Sequence, residues 1–342
     1  MKIAIISDIH FGVNYDKPVF KEYQKEFFKT FWAEMDKRGI GTIFFLGDFF
    51  HHRRMVNFDT VELAVECWFK PAMDRGTKIY MLVGNHDVFY KTTNRLNSLD
   101  LLCWNKNIEV INEPKTLKIN GKNYCFLPWL NMENTQAAFK EMESTPASIV
   151  LAHLELRLDF LHIQGQMPIE KLARYAMVFS GHFHSPYVKD IQGCKLQYLG
   201  SPYEMNWNDF GVKNRGWYVW DDETFNYELV ANNKPIHYYH RLGEDVEWIK
   251  PWHSIRCIIP ANMPNLDYEI SMSALKKKEI MKVQMLTEDK EEEENGAYEL
   301  EISGELDVLD LLLKYAETNK GELDIEKMRH VIKGVWDEIH EE

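Results

Sequence analysis

Five short clusters of oxygen- and nitrogen-bearing side chains recur along this 342-residue chain, each following a short apolar run. They are Asp8-Ile9-His10, Gly47-Asp48, Gly84-Asn85-His86-Asp87, a lone His153, and Gly181-His182-Phe183-His184. Carboxylates, an amide and neutral imidazoles together make mixed oxygen and nitrogen sites that suit manganese, iron, zinc or magnesium. Two cations roughly 3.5 to 4 Å apart need a carboxylate able to bridge them, and Asp48, directly after Gly47, is the natural candidate. Asp8, His10 and one histidine of the last cluster would complete one position. Asn85, His153 and the other histidine would complete the second. Gly181 supplies the backbone freedom that lets His182 and His184 both face inward. A cation pair of this kind acidifies water and absorbs charge on a phosphoryl group, so the chemistry expected is phosphoester hydrolysis without a protein nucleophile. His86 would donate a hydrogen bond or proton to the leaving oxygen, with Asp87 or a neighbour fixing its orientation.

Taken singly, each cluster is a weak signal, because a lone histidine on an apolar strand usually needs nothing more than a hydrogen-bond partner. Their shared position is what binds them into one site. Apolar, β-rich runs predict strands over Lys2 to Ser7, Thr42 to Gly47, Thr77 to Val83, Asn123 to Leu127, Ser148 to His153 and Met177 to Gly181. Helix-period stretches lie between them at 18–38, 57–75, 94–105 and 133–143, and the Asn120-Gly121 pair marks a hairpin. Alternating strands and helices imply an α/β domain, and side chains at the carboxyl ends of its strands converge on one crevice. After residue 185 shorter runs at Gln197 to Leu199, Gly216 to Trp220 and Tyr227 to Val230 suggest hairpins that complete a second sheet.

The remaining composition narrows the function. Cys67, Cys103, Cys125, Cys194 and Cys257 form no CxxC pair, which suits a reducing compartment. Asp8 and His10 cut the opening apolar run too short for a signal peptide, and no apolar run is long enough to span a membrane. The expected location is the cytoplasm, a host's if the chain is viral. A net charge of −13 argues against gripping DNA unaided, so a nucleic-acid role calls for bound cations or a basic partner.

The series DxH, GD, GNHD, H and GHxH resembles the calcineurin-like metallophosphoesterase superfamily over residues 1 to about 200. That resemblance implies a four-layer α-β-β-α sandwich. It assigns Asp8, His10, Asp48 and His184 to one metal, and Asp48, Asn85, His153 and His182 to the other. After Gly47-Asp48, the run Phe49-Phe50-His51 is similar to the GDxFH of the Mre/SbcD double-strand-break nuclease family, whereas protein phosphatases carry GDxxDR. Leu127-Pro128-Trp129, Leu199-Gly200-Ser201-Pro202 and Arg215-Gly216-Trp217 resemble the same family, especially its branch in T4-like bacteriophages. By this likeness His51 is a second catalytic histidine beside His86, with His52 a weaker substitute. The activity implied is exonuclease action on duplex DNA and endonuclease action on single strands, with Mn2+ first among candidate metals. The partner implied is a Rad/SbcC-type coiled-coil ATPase, with a homodimer inside a heterotetramer. Apart from the resemblance, Arg53, Arg54, Lys91 and Arg95 lie close in sequence to these motifs and would contact phosphates or be ordinary surface charges, and Phe89, Tyr90 and Trp104 would form a dimer face or plain core.

Four segments are expected: a nuclease domain at 1–234, a small capping domain at 235–287, an acidic linker at 288–297, and a helical partner-binding segment at 298–342. The EDKEEEEN run and the apolar stripes after it carry the last two. Two other functions compete. A stand-alone phosphodiesterase or phosphatase would explain the acidic charge, but His51 stands where that branch has Asp. A noncatalytic scaffold is disfavoured by a ligand set with every position filled.

Overall fold

The computed structural model describes residues 1–102, 105–158, 163–164 and 167–287. Two six-stranded sheets form its centre. In the first, the order is Asn226–Ala231, Gly216–Asp221, Lys2–Ile6, Thr42–Phe45, Lys78–Leu82 and Ile108–Ile111. The last four of these run parallel. In the second, the order is Tyr187–Ile191, Cys194–Tyr198, Met177–Gly181, Ile149–His153, Lys122–Leu127 and Lys115–Ile119. Its four inner strands are parallel too.

Side-chain alternation explains the layering. Ile3, Ile5, Phe44 and Leu82 of the first sheet share one core with Phe126, Leu151 and Phe179 of the second, so the sheets pack face to face. Ala4, Ile6, Ile43 and Phe45 point the other way, into a core with the helix Pro18–Arg38 and with Trp68. Val150, Ala152 and Val178 turn outward onto Ala138 and Met142 of the helix Thr135–Ser144. Strands buried on both faces read as continuous apolar runs, which is why they stood out in the sequence. The result is the α-β-β-α sandwich, and the Asn120-Gly121 hairpin turn is formed with φ of 49° and 79°.

Three expectations need correction. The stretch 57–75 is not one regular helix: Phe58–Ala64 passes through a wider π-type turn, Val65–Phe69, into Lys70–Arg75. Pro71 has no N–H for the Cys67 carbonyl, and the Trp32 indole donates to that carbonyl instead at 2.8 Å. The helix expected at 94–105 is only Ser98–Leu102 among the described residues. Asn94 is drawn off by the carbonyls of Asn112 and Trp129, while Asn97 caps the helix by accepting from Asp100 N at 2.8 Å. Finally, the Gly216–Asp221 hairpin closes the first sheet, pairing antiparallel with Lys2–Ile6, rather than the second.

Beyond Ala231 the chain forms a separate three-stranded parallel sheet from His237–Arg241, Ser254–Ile259 and Lys282–Thr287. With the helix Asn265–Lys276 it encloses a small core around Leu242, Ile249, Ile255, Cys257 and Leu275. The expected linker 288–297, the helices in 298–342, and Cys103 and Trp104 lie outside the described residues.

Candidate metal centre

Each candidate metal ligand, and His86, lies at or just past the carboxyl end of a central strand. Asp8 and His10 follow Lys2–Ile6, Asp48 follows Thr42–Phe45, Asn85 and His86 follow Lys78–Leu82, His153 ends Ile149–His153, and His182 and His184 follow Met177–Gly181. Four of them hold left-handed backbone: Asp8 at φ 53°, His10 at 44°, Asp48 at 59° and His182 at 92°. Residues with a side chain adopt this region at a cost of about 1 kcal/mol or more, and such strain persists only where neighbours enforce it. Here Asp8 N donates to Gly47 O at 3.0 Å, His10 N to Asp48 O at 3.2 Å, and Phe11 N to Phe49 O at 2.8 Å. Those bonds zip the first loop to the second. Glycines make the crowding possible, since a Cβ at Gly84 would overlap the Asp48 carboxylate and one at Gly181 would overlap the Ser7 hydroxyl.

The side chains converge as three overlapping groups: potential ligand atoms of Asp8, His10 and His184, of Asp48, His153 and His182, and of His10, His51 and His86 lie within 4.8 Å of one another in each, and Asp48 stands between the first two. Asp48 Oδ2 is 3.6 Å from His10 Nε2 on one side and 3.5 Å from His153 Nε2 on the other. Asn85 Oδ1 is 2.8 Å from His153 Nε2 and 3.0 Å from His182 Nδ1. His10 Nε2 and His184 Nε2 face each other at 3.0 Å. Two imidazole nitrogens at that distance need a proton or a cation to reconcile their lone pairs. His10 Nδ1 and His182 Nε2 are buried without partners. This donor set fits divalent cations bound through oxygen and nitrogen.

Electrostatics point the same way. Burial, followed by the neighbouring His153, pulls His182 down to about 3, and burial holds His10 well below and His184 below the usual imidazole value. Neutral rings are the form that ligates metal. His153 is the exception: burial pulls it down, but the charge and hydrogen bond of Asp48 and the charge of Asp8 outweigh that and lift it to about 9. Its Nδ1 faces the Leu46 carbonyl at 2.6 Å, which fixes the ring so that Nε2 points at Asp48 and Asn85.

His86 and His51 stand beside the first group, their rings stacked at 5.7 Å and both against His10. The His86 backbone N–H donates to Asp48 Oδ1 at 2.8 Å, and its Nδ1 faces the His51 carbonyl at 2.6 Å. Burial first, then His86 and His52, pulls His51 down to about 4, so its ring is neutral near pH 7. Asp87 does not orient His86, as the sequence reading had allowed; a neighbour, His51, does so through its carbonyl. The fully buried Asp87 carboxylate accepts instead from the backbone N–H groups of Asp48, Phe49, Phe50 and Gly84 at 2.9 to 3.3 Å. It builds the loop that carries Asp48. Asp87→Asn puts an NH2 against two of those donors and is expected to lower stability by about 2–6 kcal/mol, from about 1–3 kcal/mol per unsatisfied buried N–H. Urea unfolding checks this, and an unchanged midpoint contradicts it.

Trp129 carries no sequence signal beyond the Leu127-Pro128-Trp129 motif, yet its ring lies 5.2 Å from that of His182 and walls the second group. The Leu46 carbonyl had no sequence signal, because a backbone acceptor carries none. Of the basic residues, Arg54, Lys91 and Arg95 are exposed and Arg53 is half-buried beside His51 and His52.

Residues 1–186 match the family described as Calcineurin-like phosphoesterase. Over 242 residues the chain is 30% identical to exonuclease subunit 1 of Enterobacteria phage T4, covering 69% of each protein. A solved archaeal phosphodiesterase aligns with 68% of this chain and all of its own at 13% identity and a TM-score of 0.38. Family match, phage relative and the motif series at the strand ends agree, and the chain belongs to the calcineurin-like phosphoesterases, a family that works with divalent metals, in their Mre/SbcD-type group.

Proposed function

We propose that this protein is a two-metal DNA nuclease, with exonuclease action on duplex DNA and endonuclease action on single strands, working in double-strand-break processing and recombination. The observation that carries the reading is Asp48 Oδ2, placed within 3.6 Å of a histidine nitrogen from each of two ligand groups. In this reading Asp8, His10, Asp48 and His184 hold one ion, and Asp48, Asn85, His153 and His182 hold the other, with Mn2+ the preferred metal. When bound, such ions supply Lewis-acid chemistry, drawing charge from a phosphodiester and making water acidic enough to attack near neutral pH. The chain's own part is positional. Asp8 and Asp48 add the negative charge that attracts cations, His86 serves the leaving 3′ oxygen, and His51, neutral, donates one N–H to the substrate. Exposed Arg54, Lys91 and Arg95, close in sequence to the His51 and His86 motifs, offer phosphate contacts.

DNA as substrate is supported by the phage exonuclease relative and by the resemblance of Gly47-Asp48-Phe49-Phe50-His51 to the nuclease GDxFH rather than the phosphatase GDxxDR. The relative is named a subunit, and a net charge of −13 leaves this chain short of basic surface. A Rad/SbcC-type coiled-coil ATPase held by residues 298–342, within a heterotetramer around a homodimer, would supply that surface in the cytoplasm. No helix among the described residues is long and apolar enough to cross a membrane.

The test offers purified full-length chain and Mn2+ three substrates: duplex DNA, single-stranded DNA and a small phosphodiester, each with and without chelator. Chelator-sensitive cleavage of both DNAs is expected. Hydrolysis of the small ester alone would reject the nuclease reading.

A further inference from the structure

Two motifs remain without a role in the reaction: Leu199-Gly200-Ser201-Pro202 and Arg215-Gly216-Trp217. The structure places them together, behind His184. The His184 carbonyl accepts from Ser201 N–H at 2.9 Å and from Arg215 Nη1 at 2.9 Å, which uses both of its lone pairs. Gly200 allows this approach, because a Cβ there would come within 2.8 Å of the same carbonyl and 2.6 Å of the Pro186 ring. Arg215 also donates to the Ser201 hydroxyl and pairs through Nη2 with Asp209. Asp209 in turn accepts from Met205 N–H at 2.7 Å and Asn206 N–H at 3.1 Å, so the pair is anchored to the backbone rather than to another mobile side chain. Both charged groups are almost wholly buried, with side chains 4% and 5% exposed. Burying an ion pair is seldom a gain in stability over apolar packing, so its placement against one carbonyl calls for another explanation.

Resting on the two-metal reading above, we infer that Arg215, held by Asp209, is a positioning residue that fixes the His184 ligand and thereby tunes one cation position and not the other. The reason is geometric. His184 Nε2 must meet His10 Nε2 across 3.0 Å, and nothing on the ring's own strand holds it there, since Met177–Gly181 has already ended. Fixing the carbonyl from behind by one arm of a planar guanidinium whose other arm is held by Asp209 restricts the backbone from which the ring projects. Lys would keep the charge but lose the fork.

Mn2+ titration of the full chain, with free Mn2+ read by electron paramagnetic resonance, tests this in wild type, Arg215→Lys and the milder Ser201→Ala. Removing support one bond away from a ligand typically weakens metal binding about 10- to 100-fold. The expected result is that loss at one site for Arg215→Lys, a smaller loss for Ser201→Ala, and an unchanged second site. A general structural defect would instead lower the melting temperature and weaken both sites together, which overturns the inference, as does a folded variant with wild-type binding at both. Should Arg215→Lys fail to fold, Ser201→Ala decides the matter by the same criterion. Wild type that binds no pair of ions refutes the two-metal reading itself, and so separates the two failures.

Discussion

Asp48→Asn is expected to lower DNA cleavage by at least about 10³-fold and to bring Mn2+ stoichiometry from two ions per chain to one or none. The estimate takes the upper end of what losing one transition-state donor costs, because in the two-metal reading this side chain would serve both ions, and it carries charge. Asn is the demanding choice of variant. It keeps the shape and leaves an oxygen to accept the His86 backbone N–H now bonded to Oδ1 at 2.8 Å, so the loop built on Asp87 persists. What disappears is the negative oxygen, Oδ2, that lies between His10 and His153. Equilibrium dialysis with metal analysis reads the stoichiometry, and circular dichroism shows that the fold survives. A folded variant that retains both ions would remove Asp48 from the bridging position and, with it, the basis for grouping the ligands in two sets of four.

How much of this was legible beforehand depends on the kind of contact involved. The strands were legible because both faces are buried, which leaves runs such as Ile3 to Ile6 and Ile149 to Ala152 without polar interruption. The candidate ligands were legible because each polar residue that ends such a run carries a burial cost that only a hydrogen bond, a charged partner or a bound ion offsets. Geometry that depends on the backbone left no trace. The left-handed φ of Asp8, His10 and Asp48 is hidden in ordinary residue names, and the acceptors that orient His86 and His153 are the carbonyls of His51 and Leu46. Asp87 misled for a related reason: adjacent to His86 in sequence, it faces the opposite way and collects N–H groups from the Asp48 loop 37 to 39 residues earlier. The wide turn before Pro71 and the Asn97 cap come from a missing N–H and a capping side chain, supported by Trp32 and the Asn94 network, which apolar periodicity does not register.

His86→Ala separates chemistry from metal binding. The side chain lies outside the two ligand sets built on Asp48, although its ring clusters with those of His10 and His51, and the bond from residue 86 to the Asp48 carboxylate comes from the backbone and survives the substitution. Mn2+ stoichiometry should therefore stay at two, while turnover falls by about 10²–10⁴-fold, the range for removing a general acid. The hydrogen bonding specifies how the group acts. With the Nδ1–H directed to the His51 carbonyl at 2.6 Å, any proton given to the leaving oxygen comes from Nε2, so the active form is the imidazolium. A substrate whose leaving group needs no proton, such as a nitrophenyl ester, should then lose far less rate than DNA in the same variant. His51 cannot replace it, since its ring is neutral near pH 7, held down to about 4 by burial and by its histidine neighbours. His51→Ala should accordingly slow both substrates alike, as expected for a group that holds the substrate rather than protonating it. Equal losses for the two substrates in His86→Ala, or full nuclease activity with Mn2+, would reassign His86 to bracing the loop that carries Asn85.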